Sequence, residues 1–227
     1  MRRRAAALAL VAVAIAAGYV FWLRDSSLVA VEEVEVSGVT VNRERIVAAL
    51  RSAALEMTTL HVREEELRDA VAGFPSVGSV SADASFPHRL EIEIAERPPV
   101  AVTRSGGRQL PVSADGYVLA GRDLDPGELP SVEGRPRGGG RLEAEGVAQA
   151  EVIGAASEEL YSRIAAADWD EERGGVVVQL EDGPELRFGD ADRAEAKWES
   201  AEAVLADPEL GTPSYVDVSV PERPVAA

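Results

Sequence analysis

The chain has 227 residues, a formal net charge of −17 and no cysteine, and its length suits two small domains or one of ordinary size. The absence of cysteine excludes disulfides, thiolate metal sites and cysteine nucleophiles, so the fold must depend on its apolar core. Without the three arginines at positions 2–4, the 23 basic residues fall to 20 against 40 acidic ones, which gives residues 24–227 a charge of −20. Such a surface repels phosphate backbones, so nucleic-acid binding is disfavoured.

The first patterned segment runs from Ala5 to Leu23, nineteen residues without a charge behind Met-Arg-Arg-Arg. At about 1.5 Å of rise per residue, a helix of this length spans roughly 28 Å, close to the hydrocarbon thickness of a bilayer. The basic start and the aromatic end predict a transmembrane helix with residues 1–4 in the cytoplasm and the rest outside. The alternative is a signal peptide cleaved after Ala14-Ile15-Ala16, which delivers the remaining chain to the same side.

The residues that follow predict a compact β-α-α-β-β unit of roughly 70 residues. A β-branched strand at Val29–Val36 precedes a helix for which Asn42 is a plausible N-cap. A second helix is predicted from Arg63 to Ala72, with glycine and proline as stop signals. The period then changes from 3.6 to 2, which predicts two strands joined through Ser85–Arg89.

The second half of the chain predicts a mixed, mainly antiparallel sheet with two helices, so the predicted fold class is α+β. Arg108–Ser113 and Tyr117–Leu119 flank the turn Ala114-Asp115-Gly116, and Val176–Leu180 and Glu185–Phe188 flank a Glu-Asp-Gly turn. Apolar spacing predicts a long helix from about Glu143 to Ala166, with Gly154 as a weak point. Asp190 is predicted to cap a second helix whose inward residues are Ala194, Trp198, Ala201 and Leu205.

The last predicted strand begins at Tyr215 and extends to Val220. Pro221 and Pro224 prevent an easy extension of it. A strand near a terminus is often an edge strand, whose unpaired N–H and C=O groups can accept another chain. The alternative is an ordinary internal strand.

Several ordered motifs resemble one known family. The element order resembles a POTRA domain, here residues 29–97, and residues 98–227 fit the second domain of the FtsQ/DivIB family of bacterial cell-division proteins. The motifs that carry the resemblance are Pro75-x-Val77, Phe86-Pro87-x-x-Leu90, Ile92-x-Ile94, Glu96-Arg97-x-Pro99-Val100-Ala101 and Leu129-Pro130-x-x-x-Gly134, followed by the run from Leu180 through Asp182-Gly183 and Gly189 to Lys197.

The resemblance implies a non-enzymatic, single-pass scaffold of the division machinery in the cytoplasmic membrane, expected at the septum. Its implied partners are the FtsB/DivIC-like and FtsL-like coiled-coil proteins and, through Ala5–Leu23, the lipid bilayer; no catalytic residue, metal, cofactor or small-molecule substrate is implied. Partner binding by β-strand addition is expected at Tyr215, Val216, Asp217, Val218, Ser219 and Val220, flanked by Lys197 and Trp198. Ser219 departs from the arginine that is frequent in the family, so an ion pair with the partner is not expected there.

Two other functions are compatible with an exported acidic protein. A transport or secretion adaptor with a POTRA domain would also bind peptide strands without catalysis. A cell-wall hydrolase is less favoured, because the sequence contains none of the Gly-x-Ser-x-Gly, Ser-x-x-Lys/Lys-Thr-Gly or His-Glu-x-x-His motifs. Its two histidines, His61 and His88, have no second ligand at a metal-binding spacing.

Overall fold

The computed structural model of the chain describes residues 10, 24–121, 129–209, 211 and 213–227. The chain divides into two compact units, Met1–Glu96 and Arg97–Ala227, each with its own sheet and apolar core. The predicted transmembrane segment Ala5–Leu23 lies outside the described residues, apart from Leu10. Within the part of the chain that the structure describes, no helix has the length and apolar composition that a membrane crossing requires.

The first unit has the predicted order β-α-α-β-β. A 3₁₀ turn at Ser27–Val29 precedes strand β1 (Glu33–Ser37), helix α1 (Arg43–Ala54), helix α2 (Glu64–Val71), strand β2 (Val77–Ser85) and strand β3 (Arg89–Glu96). β3 lies in the middle of the sheet, parallel to β1 and antiparallel to β2. The predicted hairpin and both predicted helices are therefore confirmed, whereas the first strand begins at Glu33 and not at Val29, which belongs to the 3₁₀ turn.

Alternation along β3 gives the sheet of this unit one buried face. Leu90, Ile92 and Ile94 are buried, and the residues between them are exposed. Leu50 of α1 and Leu67 of α2 belong to the same apolar cluster, and neither is exposed to solvent. Because side chains alternate between the faces of a strand, the two helices can cover this sheet from one side.

Asn42 precedes α1 as predicted, but it does not act as a side-chain cap. Its φ of 54° is left-handed, and its side chain makes no capping hydrogen bond. The loop before α1 is held by Glu96 at the end of β3. The Glu96 carboxylate accepts hydrogen bonds from Thr40 N–H at 2.7 Å, Thr40 Oγ1–H at 2.6 Å and Val41 N–H at 2.9 Å. Glu96, the first residue of the Glu-Arg-x-Pro motif, thus ties β3 to the start of α1.

The second unit is built on one long sheet. Its elements are β4 (Pro99–Ser105), β5 (Arg108–Ser113), β6 (Ser131–Val132), α3 (Ala144–Gly154), α4 (Glu158–Tyr161), β7 (Ile164–Asp170), β8 (Gly175–Leu180), β9 (Glu185–Gly189), α5 (Ala194–Leu205), β10 (Tyr215–Asp217) and β11 (Val225–Ala226). The strand order is β11-β10-β9-β8-β7-β6-β4-β5. Over the described residues, four strand pairs are antiparallel and three are parallel, so the predicted mixed and mainly antiparallel sheet is confirmed.

The prediction of one long helix from Glu143 to Ala166 is wrong. α3 ends at Gly154, where a Cβ atom would lie 2.5 Å from the Cβ of Ala114, so the glycine lets the helix end pack against the preceding turn. The Ser157 hydroxyl then caps the short helix α4, and the chain enters β7 at Ile164. Leu160 and Ile164, beyond Gly154, are buried in the core of this unit, and over its described residues the unit has a third helix beyond the two predicted.

Arg97 stabilises the turn between β5 and residues 117–119. Its Nε–H donates to Asp115 Oδ2 at 2.7 Å, and its guanidinium lies 4.3 Å from the centre of the Tyr117 ring. Ser113 Oγ–H donates to Asp115 Oδ1 at 2.5 Å, and Ser113 N–H donates to Tyr117 O at 2.9 Å. Burial opposes ionisation of Asp115, but these hydrogen bonds from Ser113 and Arg97 outweigh it and hold the Asp115 pKa below its ordinary value of 3.8. The predicted turn is therefore fixed by charged side chains.

Candidate partner-binding surface

Strand β10 is short because its own side chains end it. One edge of β10, its inner side, is hydrogen-bonded to β9. Glu185 N–H donates to Ser214 O at 3.2 Å, and Val218 N–H donates to Arg187 O at 2.9 Å. The carboxylate of Asp217 then accepts hydrogen bonds from Ser219 N–H at 2.9 Å and Ser219 Oγ–H at 2.6 Å. This local turn diverts the backbone after Asp217, as Asp side chains commonly do.

The prediction that Tyr215–Val220 forms an open edge strand is wrong in two respects, because the strand ends at Asp217 and its outer side is already paired. The chain reverses through a turn in which Arg223 N–H donates to Val220 O at 2.9 Å, and β11 pairs antiparallel with the outer side of β10. Ala227 O accepts from Ser214 N–H at 2.6 Å and from Tyr215 N–H at 3.2 Å, while Ala227 N–H donates to Tyr215 O at 3.2 Å. β10 therefore lies between β9 and β11.

The six predicted residues of this segment differ in what a partner could reach. Val216 and Val218 are fully buried in the core, and Tyr215 and Asp217 are half-buried. Ser219 is exposed, and Val220, with 48% of its surface exposed, lies in the turn and not in the strand. Of the strand residues, only Tyr215 and Asp217 therefore present part of their side chains to solvent.

Arg187 of β9 forms a polar surface beside Tyr215 that the sequence analysis did not single out. Its guanidinium carbon lies 3.8 Å from the centre of the Tyr215 ring, and its Nε–H donates to Glu185 Oε1 at 2.7 Å. The arrangement combines a cation–π contact with an ion pair and holds the aromatic ring over the sheet. The signal available in the sequence is only the alternation of Glu185 and Arg187 on one face of a strand.

A cleft of about 230 Å³ opens at the end of β10. It is lined by Asp170, Arg173, Gly175, Val176, Val177, Arg187, Gly189, Asp217 and Ser219. Hydrogen bonds from the Arg173 side chain and backbone hold the Asp170 pKa below its ordinary value of 3.8. Gly189 has a φ of 66°, and a Cβ there would lie 3.3 Å from the Ser219 Cβ, so this glycine makes room for the turn after β10. The cleft offers both charge signs close to the predicted binding strand.

Lys197 and Trp198, predicted to flank the partner, lie beneath the surface. Lys197 is 3% exposed, and its Nζ donates to Asp190 O at 3.0 Å and to Asp190 Oδ1 at 2.6 Å. Trp198 is 2% exposed, its ring lies 4.7 Å from that of Phe188, and its Nε1–H donates to Val152 O at 2.7 Å. Both residues therefore act from inside the unit, where they support β9 and the start of α5.

The start of α5 also differs from the prediction, because Asp190 receives the Lys197 ammonium and does not cap the helix. The residue before α5 is Arg193, which has a left-handed φ of 58° and makes no capping hydrogen bond. Its guanidinium donates to the Glu222 carboxylate, and this hydrogen bond lowers the Glu222 pKa below 4.5. α5 is thereby linked to the turn that precedes β11. Of its predicted inward residues, Leu205 is only half-buried.

Comparisons with known proteins cover both units. Residues 101–219 match the family described as "Cell division protein FtsQ/DivIB, C-terminal", and residues 29–97 match "POTRA domain, FtsQ-type". The two matches together define a protein of bacterial cell division with a POTRA domain followed by a sheet domain. The chain belongs to the FtsQ/DivIB family.

The chain is similar to several proteins that carry the name Cell division protein FtsQ. The protein from Streptomyces venezuelae is 28% identical over 225 residues, which cover 94% of this chain and 80% of that protein. The Mycobacterium leprae protein is 31% identical, covering 86% of this chain but 54% of its own length, and the Chloroflexus aurantiacus protein is 30% identical, covering 90% and 75%. A solved structure of the major extracytoplasmic domain of the division protein DivIB from Geobacillus stearothermophilus has 15% identity and a TM-score of 0.37, and it covers 52% of this chain and 98% of that one. That structural similarity is too low to support an inference.

Proposed function

We propose that the chain is a non-catalytic, single-pass scaffold of the division machinery. It holds FtsB/DivIC-like and FtsL-like partners at the septum by pairing a partner strand with β10. The observation that carries this proposal is the hydrogen-bonding state of the outer side of β10. The N–H and C=O of Tyr215 point away from β9 and bond to Ala227, the residue after β11. Backbone groups on the outer side of a short strand can pair with an added strand from another chain once they are released from such bonds.

Side chains around β10 supply the specificity that backbone pairing lacks. The Tyr215 ring with Arg187 and Glu185 forms one polar and aromatic surface, and the cleft beside Asp217 and Ser219 forms another. A partner with an aromatic or charged residue at alternate strand positions would contact both, because alternate residues of a strand lie on the same face. Lys197 and Trp198 contribute indirectly, because Trp198 packs on Phe188 of β9 and Lys197 binds Asp190 just after it.

The predicted membrane segment Ala5–Leu23 tethers the scaffold to the bilayer that its partners also cross. A partner held in the same bilayer meets β10 at a raised effective concentration, so a modest affinity of one short strand suffices. In this arrangement residues 1–4 are cytoplasmic, and both folded units lie outside the cytoplasmic membrane at the division site. The function is recruitment and retention of partners.

A proline at Tyr215 tests the strand-addition proposal. Tyr215→Pro removes the N–H on the outer side of β10, whereas Tyr215→Ala removes the side chain and keeps that N–H. With the full-length FtsB/DivIC-like partner from the same genome, we expect Tyr215→Pro to weaken binding by roughly 10- to 100-fold, and more than Tyr215→Ala does. Circular dichroism must show that both variants are folded. Parent affinity in folded Tyr215→Pro would rule out pairing at this edge.

A further inference from the structure

The place on β10 where a partner strand would pair is already occupied by the chain itself. β11 pairs with Val216 through Ala226 and with Asp217 through Val225, in antiparallel register. We propose that residues 224–227, here called the tail, are a resident strand that competes with the partner for β10, so that partner binding requires release of the tail. This inference rests on the proposed function, because it describes how access to the same strand is controlled.

The contacts of the tail are those of a segment that can leave without unfolding the unit. Its strand pairing with β10 covers two residues, Ala227 adds three backbone hydrogen bonds with Ser214 and Tyr215, and 55% of the surface of Val225 is exposed to solvent. Ala226 is half-buried against the apolar core, but its side chain is a single methyl group. Opening of the tail therefore exposes little apolar surface to water. Elements with few buried contacts open locally far more often than the whole domain unfolds.

Two contacts keep the released tail close to β10. The turn before it is closed by the hydrogen bond from Arg223 N–H to Val220 O, at 2.9 Å. The same turn is joined to α5 by the ion pair of Glu222 with Arg193. The tail thus competes as an intramolecular ligand, at a high effective concentration. If it occupies β10 about nine-tenths of the time, the apparent affinity for the partner falls by about tenfold.

Addition of the partner to the outer side of the tail is the less favourable alternative. Bonded and non-bonded pairs alternate along an antiparallel ladder, and Ala227 is bonded to Tyr215. The backbone groups of Val225 therefore also face β10, and only those of Ala226 in this two-residue strand face outward. Displacing the tail instead exposes the outer groups of Tyr215 and Asp217, whose strand is anchored to β9 and to the buried Val216. The partner residue that takes the position of Ala226 must also have a small side chain, because this position lies opposite Val216 and partly in the core.

A reversible disulfide tests the inference directly, because the natural chain has no cysteine. Asp217 and Val225 are directly opposite each other, and such antiparallel neighbours lie within the Cα separation of a disulfide. Oxidised Asp217→Cys/Val225→Cys locks the tail on β10, and reduction of the same protein frees it. Asp217→Cys alone and Val225→Cys alone, treated identically, are the matched controls, and Asp217→Cys alone measures what the change in the binding strand itself costs. The probe is the full-length FtsB/DivIC-like protein from the same genome.

We expect oxidation to weaken partner binding at least about tenfold in the double variant only, with recovery on reduction. Removal of residues 224–227 should strengthen binding by about 3- to 30-fold, the factor by which the tail holds β10 closed. Equal binding by the oxidised and reduced double variant would overturn the inference, because a partner that binds while the tail is locked does not pair with the outer side of β10.

Two measurements without the partner separate failure of this inference from failure of the proposed function. In the intact chain, the Tyr215 amide should exchange with deuterium at least about tenfold faster than amides of β8. A synthetic peptide of residues 222–227 should shift the Tyr215 amide signal of the chain lacking 224–227. If no form binds the partner while both results hold, the proposed function fails and the tail remains a displaceable strand. Exchange of Tyr215 as slow as that of β8 would refute its release.

Discussion

Replacement of Trp198 tests whether this residue is part of the core or of the partner surface. Trp198→Ala removes a 2% exposed ring that packs on Phe188, and the loss of such a ring costs about 3–5 kcal/mol of folding free energy. Trp198→Phe keeps an aromatic ring but removes the N–H that donates to Val152 O at 2.7 Å. Leaving a buried acceptor without its donor costs about 1–3 kcal/mol. The lower end applies, since Val152 O also accepts from Ala155 N–H at 3.3 Å.

Urea unfolding followed by far-UV circular dichroism measures both losses in the transition of the second unit. Trp169→Phe is the matched control, because Trp169 is half-buried on β7, and we expect a loss below about 1 kcal/mol there. Partner affinity of Trp198→Phe, measured where the protein is folded, should stay within about threefold of the parent. If instead Trp198→Ala keeps the parent stability but no longer binds the partner, the ring acts at the surface and our interpretation is wrong.

Two further predictions concern stability. Gly38→Ala should destabilise the first unit by about 2 kcal/mol or more, because Gly38 has a φ of 78° and a Cβ there would lie 2.0 Å from Ile94 O. Gly73→Ala, where no atom lies within 4 Å of the added Cβ, should change the free energy of unfolding by less than about 1 kcal/mol, and thermal unfolding compares the two. The carboxyl of Asp115 should titrate below 3.8 by NMR, since its pKa is lowered in the folded state. The stability it contributes is therefore present above pH 3.8 and lost as the pH falls through the lower folded pKa, and Asp115→Asn should lack this dependence in unfolding experiments between about pH 2 and 5.

Local patterns predicted the first unit almost completely. Alternation in β3 and helical spacing in α1 and α2 involve residues close in the chain, and each element presents one apolar face. Such periodicity follows from backbone geometry alone, so it predicts an element wherever one face is buried. The order of elements and the ordered motifs then indicated the family. The matches to residues 29–97 and 101–219 confirm that family.

The errors have a different cause, since they depend on contacts that no period along the chain reveals. Gly154, the last residue of α3, lies so close to Ala114, forty residues earlier, that no side chain fits between them. Asp190 looks like a helix cap from its position but pairs with the Lys197 ammonium, and Lys197 is buried only because α5 turns that face inward. No local pattern distinguishes these cases, because the same polar and charged residue types occur at helix caps, on the surface and in buried ion pairs.

Motifs and periods along the chain indicated the family, which the family matches confirm, and they predicted the two domains and the partner-binding segment. Which side of Tyr215–Asp217 is already paired follows only from the folded chain. An open edge is predicted there, yet Val225–Ala226 pairs with it after a reversal through two prolines. A strand of two residues has no period to detect, and its pairing is held by backbone hydrogen bonds that any sequence can make.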